Sequence, residues 1–225
     1  MRVAVPKEIR AGERRVALVP DVINKFTKLG YEVIIESGAG IYAQATDKDY
    51  EAAGAKIASE VLKDADVVLS VQPLTPDQAA SLKKGAVTIS FLSPTTAVEN
   101  IEALAKAGAT SFSMELVPRI SRAQSMDALT SQALCAGYKA TLIGAELSPR
   151  FFPLLMTAAG TVTPAQVLVL GAGVAGLQAI ATARRLGAVV SAYDVRPSSA
   201  DEVKSMGATF IDLNLESLAG SGGYA

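Results

Sequence analysis

The chain has 225 residues, half of them apolar, a length that accommodates two small domains and a composition that excludes disorder. It contains no histidine, which removes Ser-His-Asp and Cys-His nucleophile systems, HExxH metalloproteases and every histidine-ligated zinc or iron site at once. With 21 basic against 22 acidic residues the net charge is −1, so neither nucleic acid nor an anionic membrane surface is expected as a partner.

The first residues, MRVAVPKEIR, hold an apolar stretch of three before Pro6, far short of a signal peptide. No uninterrupted apolar run reaches the roughly 18 residues of a membrane span, so a cytoplasmic chain is expected. Short β-branched runs then alternate with helix-like stretches along the whole sequence, the pattern of βαβ units and a parallel sheet. The expected strands are Val3 to Val5, Glu32 to Glu36, Ala55 to Ala58, Val67 to Val71, Ala86 to Phe91 and Thr110 to Met114, followed by Val167 to Leu170, Val189 to Tyr193 and Thr209 to Asp212. Several are preceded by Gly-Ala or Gly-Tyr (Gly30, Gly54, Gly85, Gly108, Gly187, Gly207), where glycine ends a helix in the left-handed conformation. Asp21 to Leu29, with Val22, Phe26 and Leu29 on one face, and Ala97 to Ala107, with Ile101, Leu104 and Ala105, read as crossover helices.

Ser125 to Ala145 is long and free of proline, and it predicts a helix linking two α/β lobes. The single cysteine, Cys135, lies in it among Ala, Leu and Gly and reads as a buried structural thiol; one cysteine allows neither an internal disulfide nor a metal cluster, and no metal site is expected. Ser148 to Pro153 ends the helix, and Ala158-Ala159-Gly160-Thr161 leads into a second lobe. The expected organisation is an N-terminal α/β lobe over 1–124, a linking helix over 125–150 and a dinucleotide-binding Rossmann lobe over 151–225.

The strongest motif is Gly171-Ala172-Gly173-Val174-Ala175-Gly176. It follows the apolar strand Val167-Leu168-Val169-Leu170, opens a helix running to about Leu186, and is followed by a second strand ending at Asp194. Gly171 permits the tight turn, Gly173 lets backbone approach a pyrophosphate, and Gly176 allows close packing. The helix start at Val174 and Ala175 offers N–H groups and a positive dipole end to phosphates. Asp194, with Val195 and Arg196 behind it, stands where a carboxylate accepts hydrogen bonds from an adenosine ribose and repels a 2′-phosphate, so NAD(H) is expected over NADP(H). A plain strand-end carboxylate is the competing role for Asp194. Three roles stay open to Arg196: pairing with Asp194, lining the adenine, or softening the discrimination.

MRVAVPKEIRAGERRVALVP at the start resembles the alanine dehydrogenase and transhydrogenase group, and MELVPRISRAQSMD (Met114 to Asp127) with MTAAG (Met156 to Gly160) resembles the NAD(H)-binding component of proton-translocating nicotinamide nucleotide transhydrogenase. The resemblance implies that Arg119 and Asp127 position the nicotinamide and its carboxamide, and that Gln124 lies where NADP(H) on a partner domain approaches. A guanidinium and a carboxamide suit that work, because they hydrogen-bond a neutral amide without ionising it. A salt bridge of Arg119 with Asp127, in the first turn of the linking helix, is compatible with the same roles. Where the family often has serine, Thr130 and then Ser131 stand here. The resemblance further implies a homodimer, a membrane domain as partner, and a location peripheral to the inner membrane.

Alanine dehydrogenases resemble the chain through the first lobe but place a lysine and a histidine where Gln72 and Ser93 stand. Arg15, which looks like their substrate-binding arginine, remains, and a salt-bridge role suits it equally. Hydride transfer between two nicotinamide rings removes no N–H or O–H proton, so it needs no general base and relies on position. The expected function is NAD(H)-dependent transhydrogenation onto NADP+ held by a partner domain. The alternatives are an alanine-dehydrogenase-like enzyme and a non-catalytic nucleotide-binding module. The last stretch, Gly220 to Ala225, resembles a portion of a mobile loop whose tyrosine, Tyr224, closes over the nucleotide; on that resemblance the second lobe is expected to be truncated.

Overall fold

The computed structural model describes residues 1–213, and two compact units divide them, Met1–Asp127 and a second that begins at Ala128. Tyr224 lies outside the described residues. Each unit is an α/β lobe with a parallel, Rossmann-like sheet, as the alternating pattern requires.

In the first unit β1 (Arg2–Val5), β2 (Glu32–Glu36), β3 (Lys56–Ala58), β4 (Val67–Leu69), β5 (Val87–Ser90) and β6 (Thr110–Ser113) form one sheet in the order β3-β2-β1-β4-β5-β6. All neighbours are parallel, with Val3 opposite both Val33 and Val67. The chain steps outward from β1 to β3 and then crosses to β4 on the other side of β1. A topological switch point therefore lies between the carboxyl ends of β1 and β4. Successive side chains take opposite faces of the sheet. Val3, Val5, Val33 and Ile35 pack with Ile23 and Tyr50, while Ala4, Ile34 and Val68 pack with Leu74, Leu82 and Leu104.

The helices of this unit are α1 (Pro20–Lys28), α2 (Asp47–Ala52), α3 (Pro76–Ala80) and α4 (Val98–Lys106). Pro20 opens α1, with Asp21 in its first turn and Lys25 and Lys28 in its last, which suits the helix dipole. Capping boxes start α2 (Thr46 with Asp49) and α3 (Thr75 with Gln78). Of the glycines expected to end helices, Gly30, Gly54, Gly108, Gly187 and Gly207 do so, with φ from 68° at Gly108 to 99° at Gly54, while Gly85 (φ 80°) lies in a turn five residues past the end of α3.

The second unit holds α5 (Ala128–Leu147), the hairpin of β7 (Leu155–Thr157) and β8 (Gly160–Val162), then β9 (Gln166–Leu170), α6 (Val174–Arg185), β10 (Val189–Tyr193), α7 (Ser199–Ser205) and β11 (Thr209–Phe210). The parallel sheet runs β11-β10-β9 among the described residues. Its core is built from Phe152, Ile180, Val190, Ala192 and Val203. Helix α5 lies close on α6: a Cβ at Gly137 would overlap the Ala175 carbonyl, and the Thr141 hydroxyl donates to the carbonyls of Gly137 (3.0 Å) and Ala179 (3.3 Å).

Three expectations need correction. The long helix begins at Ala128, because Ser121–Met126 forms a 3₁₀ helix and Asp127 is its C-cap, one residue before α5 and outside its first turn. Cys135 is exposed, since the buried stripe of α5 runs through Gly137 and Thr141 instead. Residues 158–161, expected to be a simple lead-in, turn an antiparallel hairpin with Thr157 paired to Gly160. No described helix is long and apolar enough to cross a membrane.

Candidate functional site

Strand β9 delivers the chain into the glycine-rich turn in the second unit. Gly171 has φ 95°, a left-handed conformation that a side chain opposes, and its N–H donates to the Tyr193 carbonyl at the end of β10 (2.8 Å). Gly173 is the N-cap of α6; it offers no side-chain oxygen to the first-turn N–H groups, and a Cβ there would meet open space. Those N–H groups belong to Val174, Ala175 and Gly176, the orphans of an α-helix start. A Cβ on Gly176 would overlap the Gly171 carbonyl oxygen, so this glycine lets the helix start fold back on the turn. Such a cradle, with open space at Gly173, the first-turn N–H groups and the positive end of a twelve-residue helix, has the chemistry to receive an anion.

Asp194 follows β10 directly and is buried. Its Oδ2 accepts from the Ala172 N–H at 2.6 Å, which couples it to the glycine-rich turn. Its Oδ1 accepts from the backbone N–H of Arg196 (2.8 Å) and from the Arg196 Nε (3.0 Å), and the Arg196 Nη2 lies 3.3 Å from Oδ2. Burial works to raise the carboxyl's pKa, but the Arg196 side chain, the two backbone donors and the Arg196 charge outweigh it and hold the group below the usual aspartate value. Of the roles open to Arg196, pairing with Asp194 is present in the structure. Asp194 and Val195 line a cavity of about 220 Å3 with Tyr193, Lys204, Phe210 and Asp212.

The first unit brings Arg119, Gln124 and Asp127 together. They line one pocket of about 380 Å3 along the 3₁₀ helix Ser121–Met126, with Ile120, Ser121 and Ala123 between them. The tight 3₁₀ pitch places residues three apart on one edge, so Gln124 and Asp127 share that side. Arg119 and Gln124 are exposed and Asp127 is half-buried, while Ala123 anchors the turn in the interior.

A crevice of about 540 Å3 in the same unit opens at the switch point and is lined by Lys7, Glu8 and Arg10 after β1, Ser70 and Gln72 after β4, and Ser93 after β5. Gln72 occupies it as a bridge, accepting from Arg10 Nη1 (2.8 Å) and donating through Nε2 to Glu13 (2.6 Å). Glu13 also binds Arg15, whose Nη2 lies 2.6 Å from it. With the Arg15 side chain as the main cause, burial opposing and Gln72 adding to it, the Glu13 carboxyl is held down to about 2. Glu8 accepts from the N–H groups of Val71 and Gln72, yet burial prevails and raises its pKa. Ser93 adopts φ 47°, and its N–H donates to Glu115, which also accepts from Leu92 N–H and the Ser113 hydroxyl. Glu8, Glu13 and Glu115 were invisible to motif reading, because each has partners far along the chain, as far as 64 residues away for Glu8.

Residues 4–136 match the family described as alanine dehydrogenase/PNT, N-terminal domain, and residues 140–219 match alanine dehydrogenase/PNT, C-terminal domain. Over its whole length the chain is 52% identical to the first portion of NAD(P) transhydrogenase subunit alpha of Rhodospirillum rubrum and covers 62% of it. It is 34% identical to the alanine dehydrogenase of Mycobacterium tuberculosis, over 93% of this chain and 57% of that one. A solved structure, the transhydrogenase from Sinorhizobium meliloti, agrees with a TM-score of 0.92 at 49% identity, covering 94% of this chain and 64% of that chain. The chain thus spans about three fifths of the length of these curated relatives. With nearly all of its length matched by the two domains, and a Rossmann glycine turn in the second, the chain belongs to the alanine dehydrogenase/PNT family.

Proposed function

We propose that this chain is the NAD(H)-binding component of a proton-translocating transhydrogenase. In this reading it holds NADH so that hydride passes to NADP+ on a separate partner domain, while a membrane domain moves protons. The observation that carries the reading is the closed network at the switch-point crevice. Gln72 stands where alanine dehydrogenases place a lysine, and it is tied to Arg10 and Glu13, with Arg15 bound to Glu13 in turn. A 2-oxo acid would need that guanidinium, which Glu13 already holds, and the lysine's place is taken by an amide that does not titrate.

Bound NADH supplies the hydride, and the protein supplies placement. The α6 start and Gly173 receive the pyrophosphate, and Asp194 accepts from the adenosine ribose. Arg119 and Asp127 hydrogen-bond the nicotinamide carboxamide, and Gln124 meets the NADP(H) partner. No side chain has to accept a proton at the reacting carbons, so positioning and water exclusion are the whole of the catalytic task. The working form in this reading is a homodimer on the cytoplasmic side of the inner membrane, held there by its partner subunit.

The test mixes the full-length polypeptide with an NADP(H)-binding component and follows hydride exchange with an NADH analogue. Arg119→Ala and Asp127→Ala are expected to lower turnover roughly 100-fold or more. A polypeptide that binds both NADH and the partner yet stays inactive would sink the reading. NADH oxidation dependent on pyruvate and ammonium would replace it with the dehydrogenase reading.

A further inference from the structure

Within the second unit the first turn of α6 is seated from two sides. Gly176 rests on the Gly171 carbonyl, and Ala175 lies against Gly137 of α5, where a Cβ on residue 137 would overlap the Ala175 carbonyl oxygen. One turn further along both helices the buried Thr141 hydroxyl reaches across to the Ala179 carbonyl of α6 (3.3 Å), while it also donates to the Gly137 carbonyl of its own helix (3.0 Å). Gly137 and Thr141 are four residues apart, as are Ala175 and Ala179, so the two contacts follow in the same order along one face of each helix. Contact of a bare Cα with a carbonyl fixes how near the helices come but has little direction. A hydrogen bond weakens steeply off line, so the hydroxyl adds the direction that the close contact lacks.

Neither carbonyl depends on that hydroxyl for a partner. Both lie inside their helices, where Gly137 also accepts the Thr141 N–H and Ala179 the Ala183 N–H. Removing the hydroxyl therefore leaves no buried acceptor orphaned, and its remaining effect is on alignment. Ala179 stands about 7.5 Å along the helix axis from Val174, so a slide or roll at Ala179 is carried straight to the first turn. We propose that Thr141 is a positioning residue of the dinucleotide site: through Ala179 it sets the axial position and roll of α6, and so the aim of the Val174, Ala175 and Gly176 N–H groups at the pyrophosphate. The proposal deepens the dinucleotide reading and rests on it.

The experiment measures the NADH dissociation constant and the nucleotide-free melting temperature of the full-length polypeptide as wild type, Thr141→Val and Thr141→Ser, with adenosine, which has no pyrophosphate, as a competing ligand. Thr141→Val keeps the shape and loses the donor. It should weaken NADH roughly threefold to tenfold, the scale of one hydrogen bond, while the melting temperature moves by no more than about 2 °C and adenosine binds as it does to wild type. Thr141→Ser keeps the donor and should restore NADH to within about twofold of wild type. The proposal is overturned by wild-type NADH affinity in Thr141→Val, by the absence of rescue with serine, or by an equal loss for adenosine and NADH, which would mark a general loosening of the lobe. A Thr141→Val protein that does not fold overturns it as well, because the hydroxyl would then be structural. Where adenosine competes too weakly to read, the serine variant decides. Wild type that binds no NADH fails the dinucleotide reading and the proposal with it; wild type that binds NADH while Thr141→Val changes nothing fails the proposal alone.

Discussion

Glu13 shows how one residue acquires its chemistry from its surroundings. Its carboxyl titrates near 2 in the folded chain against an ordinary 4.5, because Arg15 and Gln72 donate to the charged form. The folded value lies below the unfolded one, so the stabilisation is fully present above about 4.5 and is lost as pH falls towards about 2. Glu13→Gln should therefore flatten the pH dependence of stability in that window, with an effect on the order of 1 kcal/mol, since Arg15 is partly solvated. Urea midpoints for both proteins across the window check this, and parallel curves would contradict it. Gly176 invites a second substitution. Gly176→Ala forces a methyl into the Gly171 carbonyl and should cost about 1–3 kcal/mol, with loss of NADH binding, read by thermal denaturation and titration. The glycine spacing made the role of Gly176 legible beforehand; Glu13 has a local partner in Arg15, but its second partner, Gln72, lies 59 residues away.

At the scale of elements, α5 and α6 are coupled where Gly137 meets the Ala175 carbonyl, and Ala175 belongs to the first turn that faces the phosphate cradle. Gly137→Ala should push that turn out of place. Its expected cost is about 1–3 kcal/mol, together with weaker NADH binding although residue 137 lies outside the glycine motif. Melting curves and NADH titration on this variant test it, and unchanged affinity would break the coupling. Thr75→Ala, by removing the capping box of α3, should cost about 1 kcal/mol in a denaturant titration. The strands of both sheets were readable from their short β-branched runs, several of them behind a glycine. The β7–β8 hairpin was not, since its strands are three residues each and almost wholly exposed, which leaves no alternation of buried and solvent positions to read. The start of α5 was misplaced for a related reason: Ser121–Met126 has helical composition, and the choice of 3₁₀ over α pitch there does not depend on composition.

For the whole molecule, the division into two units predicts where a nucleotide will be felt. NADH at about 100 times its dissociation constant should stabilise the state that binds it by about 2.7 kcal/mol. Hydrogen exchange should then slow at β9, α6 and β10, while β1, β2 and β4 of the first unit keep their rates; uniform slowing over both sheets would contradict this. Sequence alone determined the alternation of strands and helices, the glycine turn after Val167–Leu170, and the absence of imidazole chemistry, because these depend on residue type and short spacing. It also placed Arg119, Gln124 and Asp127 in one segment, and the structure gathers them in one pocket. Tertiary structure alone decided that Gln72 ties Arg10 to Glu13, and that Asp194 is claimed by Ala172 and Arg196. Charge and hydrogen-bonding capacity are written in the residue, but which partner satisfies them is decided by strands that neighbour in the sheet while lying far apart in the chain.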